Sequence, residues 1–196
     1  MHSALALLAT PPVPALLRTL SDGTGTALDL ERDTRAARPL QARLKRLRAL
    51  GVVAVRRRAR FPHALEYGLA TPGRELLAIA GAVEAWLERT PQAPLRLDEA
   101  TAGAAITALA DCWATTVFHA LAAEPLSLAE LERAVGSLSY PALQRRLAAL
   151  RAVGQVRPVE PRGKQRSAFA LTRWAREGTG PIVAAARWDR MHRPLR

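Results

Sequence analysis

Cysteine is almost missing from this chain. Of 196 residues only Cys112 is a cysteine, which excludes an intramolecular disulfide and any Cys-rich zinc site and makes a reducing cytoplasm the expected compartment. Lysine is nearly as scarce: Lys45 and Lys164 are the only two among 29 basic residues, and the other 27 are arginine. Long apolar runs are also lacking, and none approaches the roughly 18–20 residues that span a bilayer. The apolar run Ala4 to Ala9 has no basic stretch before it and meets Pro11, Pro12 and Pro14 directly, which argues against a signal peptide. There is no Gly-rich phosphate loop, no usefully spaced carboxylate pair and no nucleophilic triad, so an enzyme is not expected. The four histidines (His2, His63, His119 and His192) show no metal-ligand spacing, and neither a metal nor a cofactor is expected.

What the chain has is apolar content and positive charge. At 49% hydrophobic residues it can bury real cores, and its length suits one large or two small domains. The formal net charge is +12. An arginine- and alanine-biased codon usage explains the preference over lysine but not the net excess, which favours a polyanionic partner, nucleic acid before membrane. Arginine also presents a planar fork of donors suited to phosphate and guanine.

The chain reads as two copies of one unit. Arg43 to Val53 (RLKRLRALGVV) matches Arg146 to Val156 (RLAALRAVGQV) at an offset of 103, and Asp29 to Arg32 matches Glu130 to Arg133 at 101. Glu66 to Glu75 matches Ala168 to Glu177 at 102, as does Trp86 with Trp188. Each half, split after residue 98, carries +6. The expected organisation is a first copy over residues 1–90, a linker over 91–97 containing Pro91 and Pro94, and a second copy over 98–196.

Within each copy the same elements recur. Leu40, Leu44, Leu47 and Leu50, and then Leu143, Leu147, Leu150 and Val153, form one apolar stripe on an amphipathic helix. Gly51 and Gly154 end these helices as left-handed caps. Two β-type runs follow in each copy, Val52–Arg57 with Leu65–Ala70 and Gln155–Val159 with Ser167–Thr172, joined by basic hairpin tips. Thr71-Pro72 opens a further helix. Ser127 and Glu130 form a capping box for a short helix over 128–135, ended by Gly136. Ser139 caps the next helix, and Asp98 caps a long helix through Leu121. The order helix, short helix, turn, helix, β-hairpin, helix is that of a winged helix-turn-helix. The fold class is therefore mainly α with small β-hairpins, as tandem winged units forming an intrachain pseudo-dimer.

Three stretches carry a family resemblance. Leu138 to Leu147 (LSYPALQRRL), Arg58 to Leu76 (RARFPHALEYGLATPGREL) and Asp111-Cys112-Trp113 resemble the HxlR-type winged-helix transcription regulators, relatives of the MarR and ArsR groups. The resemblance implies sequence-specific binding of double-stranded DNA, usually by dimers of one-domain chains and often under an effector. This chain departs from that pattern in carrying two copies, so it is expected to act as a monomeric pseudo-dimer or as a homodimer. The second copy also lacks the aromatic-Pro wing, and Gly178, Gly180 and Pro181 interrupt its last helix.

With the leucines inward, Arg35, Arg38, Gln41, Ala42 and Lys45 face outward on the first reading helix, and Ser139, Tyr140, Gln144 and Arg145 hold comparable places on the second. Arg and Gln pair bidentately with guanine and adenine edges; a solvated helix face is the competing explanation. Arg43 and Arg146, one position before an inward leucine, fit a structural role equally well. The wing residues Arg56, Arg57, Arg58 and Arg60, with Arg162, Lys164 and Arg166, suit phosphate, or else a charged tip that keeps an edge strand soluble.

Cys112 follows an acid and reads as a buried structural thiol. Four tryptophans, against two Tyr and three Phe, suggest a cavity for an aromatic effector lined by Trp86, Trp113, His119 and Trp188; core packing explains them as well. The leading function is a bacterial, cytoplasmic, nucleoid-associated transcription regulator. The alternatives are a small-molecule-binding or enzymatic protein on a repurposed winged-helix scaffold, and a charge-driven nucleoid or docking protein without sequence choice.

Overall fold

A computed structural model of the chain describes residues 3–34, 40–57, 64–91, 93–97, 99–136, 138–160 and 167–192, with the side chains of Ser3 and Cys112 outside that description. It is mostly helical with two small antiparallel sheets.

The chain starts with α1 (Ser3–Leu8) and α2 (Val13–Asp22), then β1 (Gly25–Thr26), α3 (Ala27–Thr34) and α4 (Leu40–Ala49). The hairpin β2 (Val53–Arg57) and β3 (Leu65–Leu69) leads into α5 (Thr71–Leu87). The second half runs α6 (Ala100–Ala110), α7 (Cys112–Ala123), β4 (Leu126–Ser127), α8 (Leu128–Val135), α9 (Tyr140–Ala152), β5 (Val156–Val159), β6 (Ala168–Leu171), α10 (Arg173–Glu177) and α11 (Thr179–His192). The sheets have the same strand order, β1-β3-β2 and β4-β6-β5, with Val53 opposite Leu69 and Val156 opposite Leu171.

Local chemistry fixes these elements in matched ways. Ser127 and Glu130 close the expected capping box at the start of α8, with Ser127 N–H donating to Glu130 Oε2 at 2.7 Å and Glu130 N–H to Ser127 Oγ at 3.3 Å. Thr26 and Asp29 do the same at the start of α3, at 3.0 and 3.3 Å. Leu40, Leu44 and Leu47 of α4 are buried, as are Leu143, Leu147 and Leu150 of α9. Gly51 and Gly154 sit at φ 68° and 74°, the left-handed region where a side chain is penalised. Val52 N–H then reaches back to Leu47 C=O and Gln155 N–H to Leu150 C=O, both at 2.9 Å, which satisfies carbonyls that a helix end leaves open.

Two expectations need correction. The helix predicted from Asp98 through Leu121 is two helices: α6 ends at Asp111, whose backbone turns extended (φ −76°, ψ 130°), and α7 leaves at 78°. The small apolar side chains of this stretch give no periodic cue for a break. Asp98 itself lies outside the described residues. Ser139 holds the N-cap position of α9 with extended backbone, but its side chain makes no capping hydrogen bond; Pro141 in the first turn has no N–H for a cap to satisfy. Among the described residues no single helix is long and apolar enough to cross a membrane.

The larger core runs across the expected linker. It joins Leu5, Leu8, Leu16 and Leu17 to Leu76, Val83 and Trp86, then to Leu97, Ile106 and Leu109, and to Trp174, Ala185 and Trp188. A smaller core under α7, α8 and α9 holds Val117, Leu131, Leu143 and Leu147. Helices α5 and α11 pack together at the centre. Trp86 Nε1–H donates to Trp174 C=O at 2.8 Å, and Trp188 Nε1–H donates to Pro72 C=O at 2.9 Å. At the offset of 102, Trp86 corresponds to Trp188 and Pro72 to Trp174, so each half gives the other the same bond. Trp174 Nε1–H also donates to Trp86 C=O at 2.8 Å, and the two indoles stack with centroids 4.3 Å apart and planes 2° from parallel. Gly178 makes room for this stack, because a Cβ there would lie 3.2 Å from Trp86 Nε1.

Candidate nucleic-acid interface

The candidate surface is the outward side of α4 with the adjoining strand β2. Burial of Leu40, Leu44 and Leu47 leaves Gln41, Lys45 and Arg48 at i, i+4 and i+7 on a neighbouring stripe, about 100° round the helix. All three are exposed, as are Ala42 and Arg46 on the face opposite the leucines. Arg56 and Arg57 at the end of β2 are exposed too, with Arg56 opposite the half-buried Glu66 in the ladder. This places a row of cations and one bidentate amide on a protruding helix beside a basic hairpin. Arg35, Arg38, Arg58 and Arg60 lie outside the described residues.

On α9 the counterpart surface carries Gln144, Arg145 and Arg151, all exposed, and Tyr140 is exposed at the helix start beside Ser139. The strand β5 adds Arg157. Arg162, Lys164 and Arg166 lie outside the described residues. The sequence reading missed Arg46, Arg48, Arg151 and Arg157. Distance from the leucine stripes marks the three helical arginines as outward, and Arg157 follows the buried Val156 in its strand.

Arg43 and Arg146 take the structural role. Arg43 Nη1 donates to Pro11 C=O, tying α4 to the start of α2. The Arg146 guanidinium lies over the Trp113 ring, 4.6 Å from its centroid, tying α9 to the start of α7. Trp113 Nε1–H donates to Asp111 Oδ2, so Asp111 anchors the indole at the helix break.

Trp86, Trp113 and Trp188 each have a hydrogen-bond or ring partner within the fold. Trp86 and Trp188 are buried, with their N–H groups engaged across the α5–α11 contact, and Trp113 is held on the far side by Arg146 and Asp111. Among the described residues, His119 faces a cavity. A space of about 380 Å³ lies between α7, β6, α10 and α11, walled by Phe118, His119, Ala122, Ala175, Ile182 and Val183 among others.

A short capped helix, a turn, an exposed basic helix and a β-hairpin wing define a winged helix-turn-helix. Residues 14–93, which include α4 and its hairpin, match the HxlR-like helix-turn-helix family and carry such a domain. No curated protein and no solved structure matches the chain.

Proposed function

We propose that this chain is a sequence-specific transcription regulator that places α4 in the major groove of double-stranded DNA and its basic hairpin on the flanking backbone. The observation that carries the reading is the exposed row Gln41, Lys45, Arg48 on the reading helix of an HxlR-like domain. Glutamine pairs with an adenine edge, lysine and arginine with guanine or phosphate, and Arg56 and Arg57 suit phosphate. Arg35, Arg38, Arg58 and Arg60 extend the same surface in sequence, so the first interface is drawn from residues 35–60.

The second half is read as a second winged unit with α9 as its reading helix, using Tyr140, Gln144 and Arg145. The matched strand order, matched capping boxes and matched glycine caps support this. The exchanged tryptophan bonds between α5 and α11 support a pseudo-dimer within one chain, since a two-fold interface repeats each contact with roles reversed. The chain then acts as a monomer on two half-sites in the cytoplasm. The aromatic effector is assigned to the space beside His119, where an apolar wall meets one imidazole.

Fluorescence polarisation with a promoter duplex and a scrambled duplex, each across a salt series, tests the function. Preference for the promoter that survives rising salt supports a regulator; equal binding erased by salt supports an electrostatic binder without sequence choice. Absence of binding at low salt favours the repurposed-scaffold alternative, with the space beside His119 as its site.

A further inference from the structure

We infer that the duplex this chain reads is non-palindromic, with two half-sites that share some base contacts and differ in the middle; the inference rests on the DNA-binding reading above. At the offset of 103, α4 and α9 superpose their buried leucines, Leu40, Leu44 and Leu47 on Leu143, Leu147 and Leu150. The outward stripes then align as Gln41, Lys45, Arg48 against Gln144, Ala148, Arg151, all six exposed. The ends of the stripe are the same and the centre is not. On the face opposite the leucines, Ala42 and Arg46 align with Arg145 and Ala149, so the basic side chain moves one turn toward the start of the helix in the second half.

The hairpins diverge further. Arg56 and Arg57 align with Val159 and Glu160, and Ala54 with Arg157. The first helix and strand thus expose Lys45, Arg46, Arg48, Arg56 and Arg57, with Glu66 half-buried across from Arg56. The second expose Arg145, Arg151 and Arg157 together with the acid Glu160. The two halves of the chain carry equal net charge, and this difference in placement is one among the described residues.

A dimer of identical chains presents two identical surfaces, which is why its operators are palindromic. Here nothing forces identity. Gln41 and Gln144 select the same base at the same step of their half-sites, adenine by bidentate pairing. Lys45 favours a guanine or a phosphate where Ala148 offers only a methyl, which suits a thymine methyl.

The test is selection of duplexes from a random pool by the full chain. Polarisation titrations follow, with the enriched duplex and with the two inverted repeats built from its left half and from its right half. The expected motif has unequal half-sites sharing one base, and each inverted repeat binds roughly tenfold or more weakly than the natural arrangement. Gln41→Ala and Gln144→Ala relax the preference at the shared base in opposite half-sites, whereas Lys45→Ala relaxes the centre of one half-site alone. A perfect palindrome, or inverted repeats that bind as well as the mixed duplex, overturns the inference and leaves the DNA-binding reading standing. A pool that enriches no sequence overturns the DNA-binding reading and the inference with it.

Discussion

Replacing Trp86 by phenylalanine is the most informative single perturbation of the α5–α11 contact. The change keeps an aromatic ring against Trp174 and deletes the N–H that donates to Trp174 C=O at 2.8 Å. That carbonyl still receives Gly178 N–H at 3.3 Å, so it is not left bare, and removing the bond should cost about 1 kcal/mol. Trp86 is fully buried, and the part of the indole that phenylalanine does not replace removes a further ~1–2 kcal/mol of apolar burial. The total of about 2–3 kcal/mol corresponds to a fall in Tm of roughly 5–10 °C in a chain of this size. Urea unfolding followed by far-ultraviolet circular dichroism measures it. Trp188→Phe, which deletes the corresponding bond to Pro72 C=O, should cost a similar amount. Trp113→Phe should cost less, because that indole is only half-buried and its main partners are Arg146 and Asp111 at the periphery. Both halves share the larger core, so the transition should stay single with its midpoint lowered and its m-value unchanged. A loss below about 0.5 kcal/mol for both Trp86→Phe and Trp188→Phe, or a biphasic transition in the wild-type chain, would refute the argument that these indoles join the halves.

Other outcomes are equally specific. Gly73→Ala should destabilise strongly, since a Cβ there would lie 2.2 Å from Val52 C=O, whereas Gly81→Ala, with open space around it in α5, should stabilise by about 0.5–1 kcal/mol; thermal melts compare the two. Ser127→Ala and Thr26→Ala should each cost about 1 kcal/mol by removing one arm of a capping box, read from urea midpoints. Gln155→Ala should cost about 2 kcal/mol or more, because this buried side chain donates to Ala105 C=O at 2.9 Å and binds the second hairpin to α6. The double change Lys45→Ala with Arg46→Ala should leave the Tm almost unmoved. It should also flatten the salt dependence of DNA binding by about 0.9 in log–log slope for each phosphate that the chain no longer neutralises.

Much of this fold was legible in the sequence. The leucine stripes of α4 and α9 dictated which side of each helix is buried, and Gly51 and Gly154 marked where those helices stop. The Ser127–Glu130 box announced the start of α8. Its partner at Thr26 and Asp29 went unread because aspartate, one methylene shorter, stands where the motif has glutamate. The two-residue strands β1 and β4 are too short to show an alternating pattern and exist through pairing with β3 and β6. The bend at Asp111 was hidden because apolar residues run up to it and on from it, Leu109 and Ala110 before and Cys112 and Trp113 after. At the interface, the outward positions of Gln41, Lys45, Gln144 and Arg145 followed from periodicity alone. The contacts of the tryptophans were not legible in that way. Their abundance was plain, but the partners of Trp86 and Trp188 lie 88 and 116 residues away, and no local pattern encodes which carbonyl an indole will meet.

The core shared by both halves has a consequence for behaviour on dilution. Two separate subunits part as their concentration falls, and occupancy of a paired site then follows the steep curve of coupled assembly and binding. Here α4 and α9 stay at one fixed mutual distance at any concentration, because the peptide chain and a single core hold them. Titration of a duplex with this chain should therefore trace a simple hyperbola down to the lowest amounts tested. On the proposed monomeric reading, mixing two variant chains should produce no hybrids, whereas a homodimer would exchange its subunits.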